Sequence, residues 1–460
     1  MGTSSLKRLG RPWLRDGLLA VAVLVAVVIL HQTTDAIGTL ERRFYDFAVA
    51  QSARTPSERI AILAIDDQSI ANIGRWPWPR DVHADLIARL SAAKAKTIVH
   101  TSFFFEPQTD RGLAHIHKIR DALATDPAAS GATAATLAEL IAQAEDALDT
   151  DGKLAASMKQ AGNVLIPAVF TLGEPQGRPD AELPSYVARG AVDERSGFSV
   201  PAVRGQYPIE RLGSAAAGVG HLNQLSDVDG AVREDPLLVN YYGKAVPSLA
   251  LLAAAHSLNL APADIRLQNG QAVQLGRLRV RTDDSARMLA QFYRPQGARP
   301  AFAVDSVYDV LSGKIPAAKY ADKIVLIGAT AAGVGTAFPV PGYSGLSPAE
   351  MLAHITSSIL SEHVLTRPDW APWAGLGILL VIAGYLLAAL PRLSAAWGAG
   401  VTATLFVGLF LSEYLLLASA SIWLPLMFPA TALLAGHLAL TTRRFLVTEA
   451  GKLKSDDESA

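Results

Sequence analysis

The chain has 460 residues, no cysteine and a formal net charge of −1, a length that leaves room for roughly two or three domains. Without cysteines there is no disulfide framework and no thiolate metal site. Without a basic surplus there is no electrostatic footprint for nucleic acid. Half of the residues are hydrophobic, and the excess lies at the two ends, around a soluble middle.

The first apolar run is Leu18 to Leu30. With Trp13 and Leu14 it approaches the ~20 residues that span a bilayer. Lys7, Arg8, Arg11 and Arg15 precede it, which keeps the N-terminus in the cytoplasm. His31-Gln32-Thr33-Thr34-Asp35 after it lacks a small-x-small cleavage pattern, so the run reads as an uncleaved anchor.

Next comes a stretch of α/β character. Ile60 to Ile65 reads as a buried strand ending in Asp66-Asp67. Gly74-Arg75-Trp76-Pro77-Trp78-Pro79-Arg80 is a proline-stiffened loop, and Asp81 is placed to cap a helix with Val82, Leu86, Ile87 and Leu90 on one face. Thr97-Ile98-Val99 is a second strand, giving a β-α-β order. Residues 122–160 read as Ala-rich surface helices, and Asn163 to Phe170 as a strand. Gly173 to Gly197 is a long loop rich in Pro, Gly and charge. Asp227-Val228-Asp229-Gly230 suits a tight turn, with Arg233 near enough to close it by an ion pair. Pro247 to Leu258 is helical, Gln271 to Val280 a hairpin, Met288 to Phe292 a strand and Ser306 to Leu311 a short helix. Lys323 to Ile327 is a last buried strand, followed by Gly333-Val334-Gly335.

Three apolar runs then predict spanning helices over 370–390, 395–417 and 422–440. Arg392 lies between the first two, Arg443 and Arg444 follow the third, and the connector Ala418–Ser421 is uncharged. The charge rule puts the arginines and the C-terminus inside, and everything from about residue 33 to 368 outside. Glu413 and His437 lie near helix ends, where polar groups reach the headgroups. Ala396, Gly400, Thr404 and Gly408 recur every four residues, a stripe of small side chains suited to close helix packing, within the chain or across a dimer.

Taken in order, Ile65-Asp66-Asp67, Gly74 to Arg80, Asp227 to Arg233, Phe292-Tyr293-Arg294-Pro295 and Lys323 to Gly333 resemble the type 2 CHASE domain, a cyclase/histidine-kinase-associated sensory extracellular domain. The resemblance runs from about Glu41 to Pro368 and extends to the three helices that follow. It implies an α/β extracytoplasmic sensor domain plus four transmembrane α-helices, one N-terminal and three C-terminal. The parts are a cytoplasmic N-terminus 1–15, an anchor 16–32, the sensor 33–368, the three spans and a short cytoplasmic tail 441–460. It further implies a receptor in the inner membrane of a bacterium, with the sensor periplasmic and both termini cytoplasmic. Relatives carry a cyclase, kinase or diguanylate cyclase behind the last helix. No such domain fits in Thr441–Ala460, so the output is expected on a separate cytoplasmic partner or beyond this segment.

The family pattern has acidic residues where this chain has Thr101 and Thr336, and a Gly and a His at Pro348 and Leu352; Glu350 is kept. Candidate ligand contacts are therefore Asp66, Asp67, Arg75, Trp76, Arg80, Gly333, Gly335 and Glu350. The competing reading of Asp66 and Asp67 is helix capping. Gly333 and Gly335 lack the Gly-Lys-Ser/Thr and third glycine of nucleotide loops. His83, His100, His221 and His354 are too scattered along the chain to predict a metal site. No Gly-x-Ser-x-Gly elbow or His-Glu-x-x-His is present, so no catalytic residue, metal or cofactor is expected. A lipid bilayer, an extracytoplasmic ligand and a second copy of the chain are the expected partners. A signalling receptor leads, ahead of an orphan scaffold with no ligand of its own, a transporter and a periplasmic enzyme.

Overall fold

The computed structural model describes residues 12–459 apart from 109, 127–130, 269, 296 and 298; Lys7, Arg8 and Arg11 lie outside the described residues. The chain divides into two compact units, Arg54–Val364 and a helical unit made of the segments before and after it.

Arg54–Val364 is built on a mixed ten-stranded sheet. Its parallel heart is β1 (Ile60–Ile65), β2 (Thr97–His100), β3 (Val164–Leu172) and the strands Ile324–Ala329, Ala303–Ser306 and Gly218–His221. The register runs straight across it, Ile62 beside Leu326, Leu326 beside Val99, Val99 beside Leu165. The three strands expected to share a sheet do so, because continuous apolar runs are what a parallel strand needs when helices cover both faces. Successive side chains alternate between the two faces. Ile60 and Ile62 enter one core, with the helices Leu249–Ser257 and Pro348–Leu360. Ala61, Leu63 and Ile65 enter the other, with Leu86, Ile87 and Leu90 of the helix Arg80–Ala92 and Leu154 and Met158 of the helix Thr150–Ala161. The last of these is no surface helix, because two of its apolar residues are fully buried.

Most smaller elements lie where the residues placed them. The segment 271–280 belongs to a three-stranded meander, and Ser306 precedes a short helix, Val307–Leu311. Asp81 does not cap its helix. Pro79 occupies that position and Asp81 falls in the first turn, where its charge still suits the helix dipole. The turn at Asp227 is closed as expected: Arg233, buried, bonds Asp227 at 2.9 Å and Asp229 at 2.7 Å, and Gly230 takes a positive φ of 82°.

In the helical unit, Pro12–Thr33 is one helix and Ala36–Ala50 a second. Among the described residues three helices are long and apolar enough to cross a membrane, Arg15–Thr33, Ala371–Arg392 and Ala395–Ala420. The expected run 422–440 is corrected: residues 422–426 are not helical, and one helix runs Met427–Ser459. The apolar part from Met427 to the Arg443-Arg444 pair is shorter than the ~20 residues of a full span. Pro425 explains the delayed start, since proline supplies no backbone donor and restrains the residue before it.

Of the two packing partners expected for the small-residue stripe of the third helix, the structure does not use the one within the chain. Ala396, Gly400 and Thr404 are exposed on this bundle, Gly408 is half-buried, and no atom lies within 4 Å of where a Cβ on Gly400 or Gly408 would sit. Contact within the chain uses other small residues. A Cβ on Gly398 would come within 2.9 Å of Leu390, and one on Gly436 within 2.4 Å of Leu386. Glu413 and His437 face inward rather than toward headgroups. Glu413 is 0% exposed and accepts from the Leu426 amide at 3.3 Å. His437 Nδ1 lies 2.8 Å from the Thr402 hydroxyl, which lies 2.7 Å from that of Tyr385. In a setting without water such groups turn to one another and to backbone amides, although Glu413 Oε1 meets no hydrogen-bond partner.

Candidate functional site

Parallel strands end together, so the loops beyond β1, β2 and Ile324–Ala329 gather at one edge, where α/β sheets place their sites. Two groups of side chains meet there. The first begins at Asp66. Its Oδ1 accepts from the Ser69 amide at 2.8 Å, the Ser69 hydroxyl at 2.6 Å and the Ser306 hydroxyl at 2.8 Å. It is the N-cap of the helix Asp67–Ile73, so its oxygen is committed to orphan helix amides. Asp67 points outward and is exposed.

The loop carrying Gly333 and Gly335 is tied to the same strand end, since the Thr330 and Ala331 amides both donate to the Ile65 carbonyl, at 3.0 and 3.1 Å. Gly333 has a φ of 78°, a region glycine enters freely. A Cβ on Gly335 would stand 2.8 Å from the Ala329 carbonyl oxygen. Both glycines therefore serve a tight turn. Behind it, Thr101 is buried and its hydroxyl donates to the Ile327 carbonyl at 3.0 Å. Gly328 lets this happen, because a Cβ there would fall 2.4 Å from Thr101 Oγ1 and 2.6 Å from the Ala349 Cβ. The helix Pro348–Leu360 thus touches down on the sheet at its first turn. Glu350 closes that turn in a capping box, its Oε2 accepting from the Ser347 amide at 2.9 Å and hydroxyl at 2.7 Å. Thr336 is exposed.

The second group surrounds the end of β2. Arg75 is exposed, whereas Trp76 is half-buried and packs edge-on against Trp78 at 5.2 Å and His83 at 5.8 Å. Arg80 lies over the Phe104 ring at 4.4 Å, pairs with Asp151 at 3.2 Å and donates to the Glu106 carbonyl at 3.1 Å. Its guanidinium is lowered from its ordinary value by burial, with Asp151 opposing. The candidates thus form two groups: Asp66, Gly333, Gly335 and Glu350 line the first neighbourhood, and Trp76 and Arg80 the second.

Sequence reasoning missed one pair. His83 Nδ1 and His100 Nε2 are 3.0 Å apart in the second group, both buried. The Ser102 amide donates to His100 Nδ1 at 3.1 Å, so the proton of His100 sits on Nε2 and points at His83. Burial, aided by Arg80, pushes His83 down to about 3, and burial with His83 and Arg80 drives His100 well below its ordinary value. A signal existed: His83 stands four residues before Ile87 and seven before Leu90, on the buried face. Asp151 and Ser306, distant in sequence, carried none. Among the described residues no group of three or more His, Cys, Asp or Glu is placed to hold a metal ion.

A covered parallel sheet with its loops gathered at one edge, flanked in sequence by membrane-length apolar helices, defines a membrane-attached α/β domain. The family model for the CHASE2 domain matches residues 21–391. The chain belongs to the CHASE2 family, a sensory extracellular type of domain with a role in signalling. No curated protein and no solved structure matches it.

Four buried histidines make stability depend on acid. His83, His221 and His354 are each pushed by burial to about 3, and His100 well below 6.5. The unfolded chain takes up protons on them below about 6.5 and the folded chain does not, so stability falls as pH falls through that value, by up to about 1.4 kcal/mol per pH unit for each histidine. Asp235 acts oppositely: burial raises its carboxyl to about 8, so between about 4 and 8 the folded state holds the extra proton. Four groups outweigh one. Chemical unfolding of the full chain in detergent should give a lower midpoint at pH 5 than at pH 7, and equal midpoints would refute the assignment.

Proposed function

We propose that the chain is the sensor module of a bacterial inner-membrane receptor, with Arg54–Val364 in the periplasm and both termini in the cytoplasm. The observation that carries this reading is the match of an extracellular sensory family across the α/β unit and into the helices on either side. The helical unit supports the topology. Asp16 pairs with Arg443 and lies 3.8 Å from Arg444, and Arg444 donates to the Leu390 carbonyl at 3.2 Å. Arg15, Arg392, Arg443 and Arg444 therefore gather at one end of the bundle, as cytoplasmic positive charge does. The apolar first half of the helix Met427–Ser459 is then a fourth, short crossing. Reporter fusions test this: a fusion after Arg444 should be active only with a cytoplasmic reporter and one near Glu182 only with an exported one. The reverse at either place would overturn the reading.

Sensing requires a ligand that prefers one arrangement of the helices. The proposed place is the edge of Asp66, Asp67, Arg75, Trp76, Arg80, Gly333, Gly335 and Glu350, and the output belongs to a cytoplasmic partner or to a domain joined to the last helix. A homodimer is part of this reading, and the outward stripe of Ala396, Gly400, Thr404 and Gly408 supports it, since small residues let helices of two copies approach. Gly400→Leu should weaken that association. Unchanged crosslinking of the full chain in membranes would count against it.

A second reading, a scaffold or partner subunit without its own small ligand, is favoured by one observation. The polar groups of the first cluster are already satisfied internally, Asp66 by Ser69 and Ser306, Thr101 by the Ile327 carbonyl and Glu350 by Ser347. Hard cations want several carboxylate oxygens, so the full chain should bind calcium and magnesium weakly in calorimetric titration. Cation binding gained by a Thr101→Asp, Thr336→Asp variant supports an altered ligand site, and silence in both proteins supports the scaffold. Tight binding by the unaltered chain would sink the idea of a depleted edge.

A further inference from the structure

Within the α/β unit, a cavity of about 10 Å³ lies between the first turn of the helix Leu249–Ser257 and one side of the helix Pro348–Leu360. Its walls are mainly apolar, among them Leu249, Leu352 and Ile355. Polar residues break that lining: Asn223, Gln224 and Ser248, and with them His221 at the end of its strand and Asp235 in the strand Val232–Pro236. His221 and Asp235 are buried, at 1% and 6% exposure, and neither His221 Nε2 nor Asp235 Oδ2 meets a protein hydrogen-bond partner. Buried polar groups are expensive to leave unpaired, and the two residues that carry these line one small space.

The tautomer of His221 limits what can enter. The Asn223 amide donates to Nδ1 at 3.3 Å, so Nδ1 offers its lone pair and the hydrogen is on Nε2. A nitrogen that carries its hydrogen is a donor and cannot bind a metal ion. Burial pushes His221 down to about 3 and Asp235 up to about 8, so both are uncharged near neutral pH and nothing in the pair compensates an ion. Size limits the rest. A space of about 10 Å³ is the least that holds one water, and a water needs at least two polar partners. Nothing larger fits.

We propose that this cavity is a binding site for a single water, which accepts from His221 Nε2 and hydrogen-bonds to the Asp235 carboxyl. The water joins the end of the ten-stranded sheet to the separate sheet that contains Val232–Pro236, beneath two helices of one core.

The test is a crystal structure of the full chain at a resolution that shows ordered water, with unfolding of variants in detergent beside it. One peak of water-sized density about 2.7–3.2 Å from both Nε2 and Oδ2 is expected. A direct His221–Asp235 bond, a larger molecule or no density would overturn the proposal. The variants give an independent reading. His221→Phe and Asp235→Leu should each lower the folding equilibrium constant about ten-fold or more, by stranding the other group. The double variant should lose less than the product of the two, because it removes both stranded groups. Asp235→Asn, which keeps a donor and an acceptor, should stay within a few-fold of the parent. Multiplicative losses in the double variant would refute the bridge.

Discussion

A strand covered by helices on both faces has no side on which a polar side chain can meet water, and the rest of the α/β unit follows from that constraint. β1, β2 and the Ile324–Ala329 strand are buried along almost their whole length. The polar chemistry of this unit is displaced to the strand ends, where Asp66, Thr101 and the Thr330–Gly335 turn meet. The same constraint sets how close the covering helices come. At Gly328 the sheet gives up a side chain, and Ala349 and the Thr101 hydroxyl fill the place. The capping box of Ser347 and Glu350 therefore lies over the strand ends rather than at a free surface.

This economy shapes the candidate site. Acidic groups that look available in the sequence are occupied in the fold: Asp66 holds two serines and an amide, and Glu350 holds Ser347. The Thr101 hydroxyl is committed to the Ile327 carbonyl. The second group is different in kind. Arg80 and Asp151 neutralise one another beside an aromatic wall, and two histidines share one hydrogen bond without charge. Such a pair is stable only while it stays dry, which ties its packing to pH.

The helical unit solves a related problem with different parts. Where helices pack in a bundle, polar groups are drawn to one another, and Glu413, His437, Thr402 and Tyr385 lie against internal partners. Close approach uses Gly398 and Gly436, each facing a leucine. The regular stripe at Ala396, Gly400, Thr404 and Gly408 is left outside. A four-residue period marks a helix face, and it carries no information about which neighbour that face meets.

Periodicity and charge by themselves determined the buried parallel strands, the β-α-β order, the Asp227–Arg233 turn and the apolar helices, because those signals are local and the hydrophobic effect acts on them wherever they lie. The ordered set of short motifs also carried the family. Tertiary structure alone decided what each polar residue does. Asp66 is a cap because Ser306, far along the chain, comes to it. His83 and His100 form a pair because β2 and the helix Arg80–Ala92 pack together. The helix expected at residue 422 begins at Met427 because a proline stands at 425, and the face of the third membrane-length helix was chosen by Leu390. These are contacts between segments distant in sequence, or between faces equally apolar by composition, and only packing in three dimensions distinguishes them.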